Sequence, residues 1–423
     1  MDLNDLILIS VDDHVVEPPN VFEGRMPKKF ADRAPRVVDD GPQQKWVFEG
    51  EVAGYMGLNA VAGRPPEEYN VEPMSYAEMR PGCWDIHERV KDMNANGVLA
   101  ALCFPTFVQF AGQLLSRQTD KELALAALRA YNDWHVDEWA GTYPGRIIPI
   151  GLVPLWDPEL MAAEVRRLAA KDCHAVAFSE APHKLGYPTL HSGLWDPFFA
   201  ACADEGTVVC THLGSSSSLP ETAPDAPPDA SISLININLV FAAADALYSG
   251  LFLRFPSLRW ALSEGGIGWI PYYLERADYV YTHHKAWTGT DFKGQLPSEV
   301  FLEHVLTCFI ADDAGLRLLD KLNEDLICWE CDYPHSDSTW PLSPELVAGP
   351  SFRAVNDDQL AKMTHRNAMR EFQFSPFSHI KPDDATVGAL RALEPGRDLT
   401  FSDGRRQTGQ YRGAITDLAR PRA

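Results

Sequence analysis

Positive charge is scarce in this chain: 37 Lys and Arg stand against 59 Asp and Glu among 423 residues, a formal net charge of −22. The deficit argues against nucleic acid or an anionic membrane surface as partner, since both repel an acidic protein. Long apolar runs are missing as well. Although 45% of residues are hydrophobic, no stretch reaches the roughly 18 consecutive apolar residues of a membrane span. The opening residues Met1-Asp2-Leu3-Asn4-Asp5 are acidic where a secretory leader is basic, so the expected location is the cytoplasm. Eight cysteines show no tight pairing pattern, and most fall inside apolar runs, where a reduced thiol behaves as a small hydrophobe. The one C-x-x-C, Cys328 to Cys331, lacks the second pair of a zinc site and reads as core. A Gly-rich phosphate loop and a G-x-S-x-G serine elbow are both absent, which removes the usual signatures of nucleotide binding and serine catalysis.

What is present is alternation. Short β-rich apolar runs cover residues 6–12, 97–105, 146–154, 173–179, 207–212, 258–264, 305–310 and 326–332. Amphipathic, helix-like segments lie between and after them, at 85–95, 120–140, 158–170, 195–205, 234–253, 269–281, 314–322 and 357–372. Continuous apolar strands alternating with helices imply parallel strands buried on both faces. Eight such units predict a (β/α)8 TIM barrel spanning residues 1–373 as one domain. A doubly wound open sheet is the competing architecture. Three stretches exceed the repeat: a Pro/Gly-rich insertion at 18–82 after strand one, a Ser/Pro-rich loop at 215–231 after strand five, and a polar C-terminal extension at 374–423. The first two fall on the side of the strand C-termini, where barrel enzymes keep their sites, and are lid candidates.

The strand ends carry the chemistry. Strand one finishes Asp12-Asp13-His14, and period-two alternation sends Asp12 and His14 the same way. Strand five ends at His212, strand six at Glu264-Gly265-Gly266, and strand eight runs Glu330-Cys331-Asp332-Tyr333-Pro334-His335. Carboxylates and imidazoles converging in one mouth repel or lose hydration unless a cation or protons neutralise them. A divalent metal does so, and this ligand chemistry suits Zn²⁺, Mn²⁺ or Fe²⁺, as one ion or two.

In combination, Asp-x-His on strand one, the His ending strand five, Gly-Gly after strand six and Asp-Tyr-Pro on strand eight resemble the amidohydrolase superfamily. The closest branch is the amidohydrolase-2 group, which includes decarboxylases similar to aminocarboxymuconate semialdehyde decarboxylase. The likeness runs over most of residues 7–372, including the stretch 269–276 and Thr364-His365-Arg366-Asn367-Ala368. The resemblance implies a barrel with metal in its mouth, held by Asp12, His14, His212 and Asp332, and a dimer or larger homo-oligomer. Two departures stand out. Asp12 replaces the first His of the family's His-x-His, a change that also occurs in the decarboxylase branch. Glu264 replaces a strand-six His that the decarboxylases use in catalysis, which counts against decarboxylation.

Hydrolysis of a small organic amide, lactone, ester or thioester is therefore the first expectation, with the ion activating water and Asp332 serving as base and then acid. Non-oxidative decarboxylation of an aromatic or unsaturated acid is the alternative. Glu264 reads equally as a further ligand, a base or the buried partner of an Arg. His335 reads as a pocket residue or the anchor of a loop. Glu17, three residues past His14, is a candidate for substrate contact or a surface turn. Arg80, before Pro81-Gly82, is a candidate for a substrate carboxylate. His283 is a candidate pocket residue, although a helix C-terminus favours His for electrostatic reasons alone.

Overall fold

The computed structural model describes residues 2–52, 56–69, 73–402 and 404. Seven barrel strands form as single pieces: β1 (Ile9–Val15), β2 (Ala100–Pro105), β4 (Ala175–Ser179), β5 (Val208–His212), β6 (Trp260–Ser263), β7 (Val305–Phe309) and β8 (Ile327–Trp329). β3 forms in two short pieces, Ile147–Ile148 and Gly151–Leu152. Every pairing among them is parallel, in sequential order from β1 to β8. β3 is split because Pro149 sits in its middle and has no N–H to give a ladder. Its first piece pairs with β2 and its second with β4. The remaining seam closes where the chain leaving β8 passes β1: Asp332 N donates to Asp12 O at 2.8 Å and Cys331 N to Ser10 Oγ at 2.8 Å. The architecture is the (β/α)8 barrel that the strand–helix alternation predicts.

All residues of these strands are buried, as helices outside and side chains inside require. The connecting helices start and stop where local chemistry says they should. Asp85 accepts from the backbone N–H groups of His87 and Glu88 to open the helix Ile86–Asn96, and Gly97, at φ +79°, ends it. A side chain at Gly97 would also meet Val387 Cγ1 at 2.8 Å, so the glycine lets the C-terminal helix Val387–Arg391 lie against this one.

The insertion at 18–82 folds over the C-terminal end of the barrel. Its strands Arg36–Asp40, Gln43–Phe48 and Glu51–Val52 make a small antiparallel sheet. Trp46 of that sheet stacks on Phe107, just beyond β2, with ring centroids 4.3 Å apart. Val61 N donates to Pro334 O at 2.9 Å, which binds the insertion to the loop after β8. After β5, Ser215 and Ser216 are fastened to Glu180 at the end of β4, with Ser216 Oγ 2.7 Å from Glu180 Oε1.

Beyond this loop, Pro228–Tyr248 is, by length and composition, apolar enough to cross a membrane, with mean hydropathy 1.6 and a third of it buried. Its Leu239, Ala242, Ala243, Ala246 and Leu247 belong to the protein's core. The C-terminal segment wraps back over the insertion as far as residue 402; the rest of the extension expected at 374–423 lies outside the described residues, apart from residue 404.

Candidate active site

Four strand ends meet in the barrel mouth. β1 delivers Asp12 and His14, β5 delivers His212, and the residues just past β6 and β8 are Glu264 and Asp332. His212 is the register partner of Ser263, so Glu264 leaves β6 at the level of the imidazole. Glu264 and Asp332 both adopt left-handed backbone, at φ 56° and 61°. For residues with a Cβ this conformation costs about 1–2 kcal/mol, and such strain gathers at functional sites. Here it ends each strand abruptly, with a carboxylate beside the two imidazoles.

The donor atoms are close. His14 Nε2 lies 3.6 Å from Asp12 Oδ1, 3.4 Å from Asp332 Oδ1 and 3.1 Å from His212 Nε2. His212 Nε2 lies 3.4 Å from Asp12 Oδ2 and 3.4 Å from Glu264 Oε2. His335 Nδ1 sits 2.9 Å from Asp332 Oδ1, and its ring lies 3.9 Å from that of His14. Within Asp12, His14 and His212, separations of this size are those of ligand atoms each about 2.0–2.2 Å from one common ion, and Asp332 adjoins that set through His14.

The chemistry of the set fits a cation. Asp12, His14, His212 and Asp332 are buried, and both Asp12 oxygens lack a hydrogen-bond donor. Burial, reinforced by neighbouring carboxylates, pushes Asp12, Glu264 and Glu330 well above the ordinary carboxyl range; burial also raises Asp332. Burial drives His14 well down and His212 to about 3, so both imidazoles are neutral, the form that ligates metal. His212 Nδ1 lies 2.6 Å from Leu213 O; donation there leaves the Nε2 lone pair facing the cluster. Buried carboxyl groups without donors beside neutral imidazoles make a site that a divalent ion would stabilise in its ionised form.

Glu330 is the residue that sequence reasoning passed over. It is buried beneath the cluster, where its Oε1 accepts from Glu264 N at 3.1 Å and its charge adds to the pressure on Asp12. Its signal was the Glu330-x-Asp332 spacing. Asp13 takes no part in the cluster. Its carboxylate accepts from Ser10 Oγ at 2.8 Å and faces Arg89 Nη1 at 3.2 Å, and the buried Arg89 also donates to Gly82 O and His14 O.

The other candidates lie elsewhere. Glu17 is buried with its carboxylate on the backbone N–H groups of Thr106 (3.2 Å) and Phe107 (2.7 Å), where it fastens the loop after β2; burial lifts its pKa to about 7. Arg80 forks onto Asp92 at 2.7 and 2.8 Å and reaches Asp398 O at 2.7 Å, so its guanidinium holds the chain's own C-terminal segment. His283 is exposed on the helix Ile270–Thr288, stacked on Tyr279 at 3.9 Å. His335 alone among these four joins the cluster.

The family model for amidohydrolases matches residues 28–374. Solved structures share the fold. An amidohydrolase from Mycobacterium avium subsp. paratuberculosis is 21% identical with a TM-score of 0.68, over 86% of this chain and 99% of its own. The 5-carboxyvanillate decarboxylase of Sphingomonas paucimobilis is 20% identical with a TM-score of 0.60, over 88% of this chain and 100% of its own. A dihydroxybenzoic acid decarboxylase of a Polaromonas species, solved with manganese and the inhibitor 2-nitroresorcinol, is 16% identical with a TM-score of 0.56, over 89% of this chain and 98% of its own. No curated protein matches the sequence.

Proposed function

We propose that this chain, which belongs to the amidohydrolase family, is a metal-dependent decarboxylase that removes CO₂ from a small aromatic or unsaturated carboxylic acid without oxidation. Asp12, His14, His212 and Asp332 would hold one divalent ion. When bound, the ion supplies positive charge to anchor an anionic substrate and to offset charge that builds up as the carboxylate leaves.

The observation that carries this reading is Glu264. The resemblance set decarboxylation second because this carboxyl stands in place of a catalytic imidazole. Its setting answers the objection. Glu264 Oε2 lies 3.4 Å from His212 Nε2, at the edge of the ligand cluster. Burial, reinforced by the neighbouring Asp332 carboxyl, raises its pKa above that of an exposed Glu. A carboxyl so placed can serve as the general acid. In the reaction it gives the proton to the carbon bearing the substrate's carboxylate. The bond between that carbon and the carboxylate then breaks, its electron pair stays with the carbon skeleton, and CO₂ departs. Glu264 is reprotonated from solvent, so one proton is consumed for each CO₂ formed. The decarboxylases among the structural neighbours favour this chemistry over water attack.

Hydrolysis is the second reading, supported by Asp332, whose Oδ1 lies 3.4 Å from His14 Nε2 and which would then serve as the base for an attacking water. The test is direct. Protein loaded with Mn²⁺ is incubated with 5-carboxyvanillate and with dihydroxybenzoates, and released CO₂ is measured together with the arene. Equal amounts of both, lost on chelation and restored by metal, support decarboxylation. Intact aromatic acids alongside metal-dependent cleavage of lactones or esters would return the reading to hydrolysis.

A further inference from the structure

His335 belongs to two places at once. One side of it meets the ligand cluster, through His14 and Asp332. The other lines a cavity of about 190 Å³ whose walls include Ala62 and Arg64 from the insertion, Trp340 after β8, and Leu399 from the C-terminal segment. The lining is mixed: Leu399, Ala62 and Trp340 give apolar surface, while Arg64, Tyr69, Ser338 and His335 give polar groups, a combination that suits an aromatic ring carrying oxygen substituents. The volume is adequate, since a cavity of about 150 Å³ accepts benzene.

Leu399 reaches this wall because the segment around it is fastened on every side. Phe401 N donates to Gly63 O at 2.8 Å, and Arg80 Nη2 donates to Asp398 O at 2.7 Å. Arg397 is 2.7 Å from Asp92 and 2.9 Å from Glu88, and Ser402 Oγ donates to Glu68 at 2.8 Å. Arg64 covers the Phe401 ring, 5.4 Å from its centroid. Gly63 is the fit condition. It has φ +81°, and a Cβ there would lie 2.9 Å from Leu399 O.

We propose that Leu399, held in place by the segment 397–402, forms the outer wall of the substrate pocket beside His335 and sets how large a ring substituent the pocket admits. The substrate part of this inference rests on the decarboxylase reading; the wall does not. A segment nearly 400 residues along the chain thereby acts as a specificity element for a centre built from the barrel.

All eight native cysteines are buried, so an Ala62→Cys thiol supplies a reporter inside the cavity. Its labelling by iodoacetamide and by a bulky maleimide is compared with Leu399 intact and as Leu399→Ala, with thermal unfolding to confirm folding. Turnover of 4-hydroxybenzoates bearing methoxy, ethoxy and propoxy groups is measured in the Leu399, Leu399→Ala and Leu399→Trp proteins. Loss of side-chain volume from a pocket shifts discrimination by about 10- to 200-fold. The expected result is bulky labelling at least about tenfold faster in Leu399→Ala, with its kcat/KM preference moved about tenfold towards the larger substituents and that of Leu399→Trp moved towards the smaller. Labelling and preference both unchanged by substitution at Leu399 would overturn the proposal. If the size limit for labelling moves but no aromatic acid is turned over or protects the thiol, the wall stands and the decarboxylase reading falls.

Discussion

His14 Nε2 and His212 Nε2 face each other at 3.1 Å across the barrel mouth, one from the end of β1 and the other from the end of β5. Donation from His212 Nδ1 to Leu213 O turns the Nε2 lone pair of His212 inward, towards His14 Nε2 at hydrogen-bond distance. A cation between the two rings would coordinate both Nε2 atoms, with His14 in the tautomer that carries its proton on Nδ1.

Removing one side of this arrangement should remove the metal. His212→Ala is expected to weaken Mn²⁺ binding by about 100-fold or more, since loss of even a supporting residue around a metal costs 10- to 100-fold. Isothermal titration of chelated protein with Mn²⁺ checks this. Affinity equal to that of the parent would place the ion elsewhere.

Glu264→Gln keeps the shape and removes the transferable proton. Turnover is expected to fall by about 10²- to 10⁴-fold, the usual contribution of general acid catalysis, with Mn²⁺ content unchanged. Steady-state kinetics alongside elemental analysis separates a proton-transfer role from a ligand role, because loss of metal would signal the latter.

Arg89 binds β1 to the insertion. It is buried, faces Asp13 at 3.2 Å, and donates to Gly82 O and His14 O. Arg89→Met leaves the buried Asp13 without its cation and is expected to cost about 3–5 kcal/mol in urea unfolding. A loss below 1 kcal/mol would show that Asp13 does not need the guanidinium.

His135 offers a pH test away from the metal ligands. It is buried, with Nε2 3.2 Å from Cys103 O, and burial lowers its pKa to about 4. The unfolded chain, with an ordinary imidazole pKa near 6.5, takes up the proton first as pH falls. The contribution of a neutral His135 is therefore whole above about pH 6.5 and shrinks towards pH 4, by on the order of 3 kcal/mol. His135→Gln, which can still donate to Cys103 O, should flatten the dependence of the urea midpoint on pH across that window. An unchanged slope would mean that His135 titrates normally.

The barrel was legible in the sequence because strands covered on both faces must be continuous apolar runs, and their ends stand out where Asp12, Glu264 and Asp332 interrupt them. The break in β3 was legible only in hindsight, from Pro149. The cluster of Asp12, His14, His212, Glu264 and Asp332 comes together because barrel strands align their C-terminal ends. Glu17 and Arg80 were not legible, because decisive partners are remote in sequence: Thr106 and Phe107 for one, Asp398 for the other. Nothing local reveals that a polar insertion residue will be claimed by a segment over 300 positions away. Glu330 was hidden by its neighbours, since a carboxylate inside an apolar run reads as part of a strand end. Decarboxylation was placed second on one substitution, at residue 264, whose meaning depends on Asp332 beside it.

The central claim is that one divalent ion sits among Asp12, His14, His212 and Asp332. Crystals of Mn²⁺-loaded protein measured at the manganese absorption edge test it most directly. A single anomalous peak within bonding distance of these four side chains is the predicted result. A mouth without a peak in metal-replete crystals, or a peak bound by other residues, would contradict it.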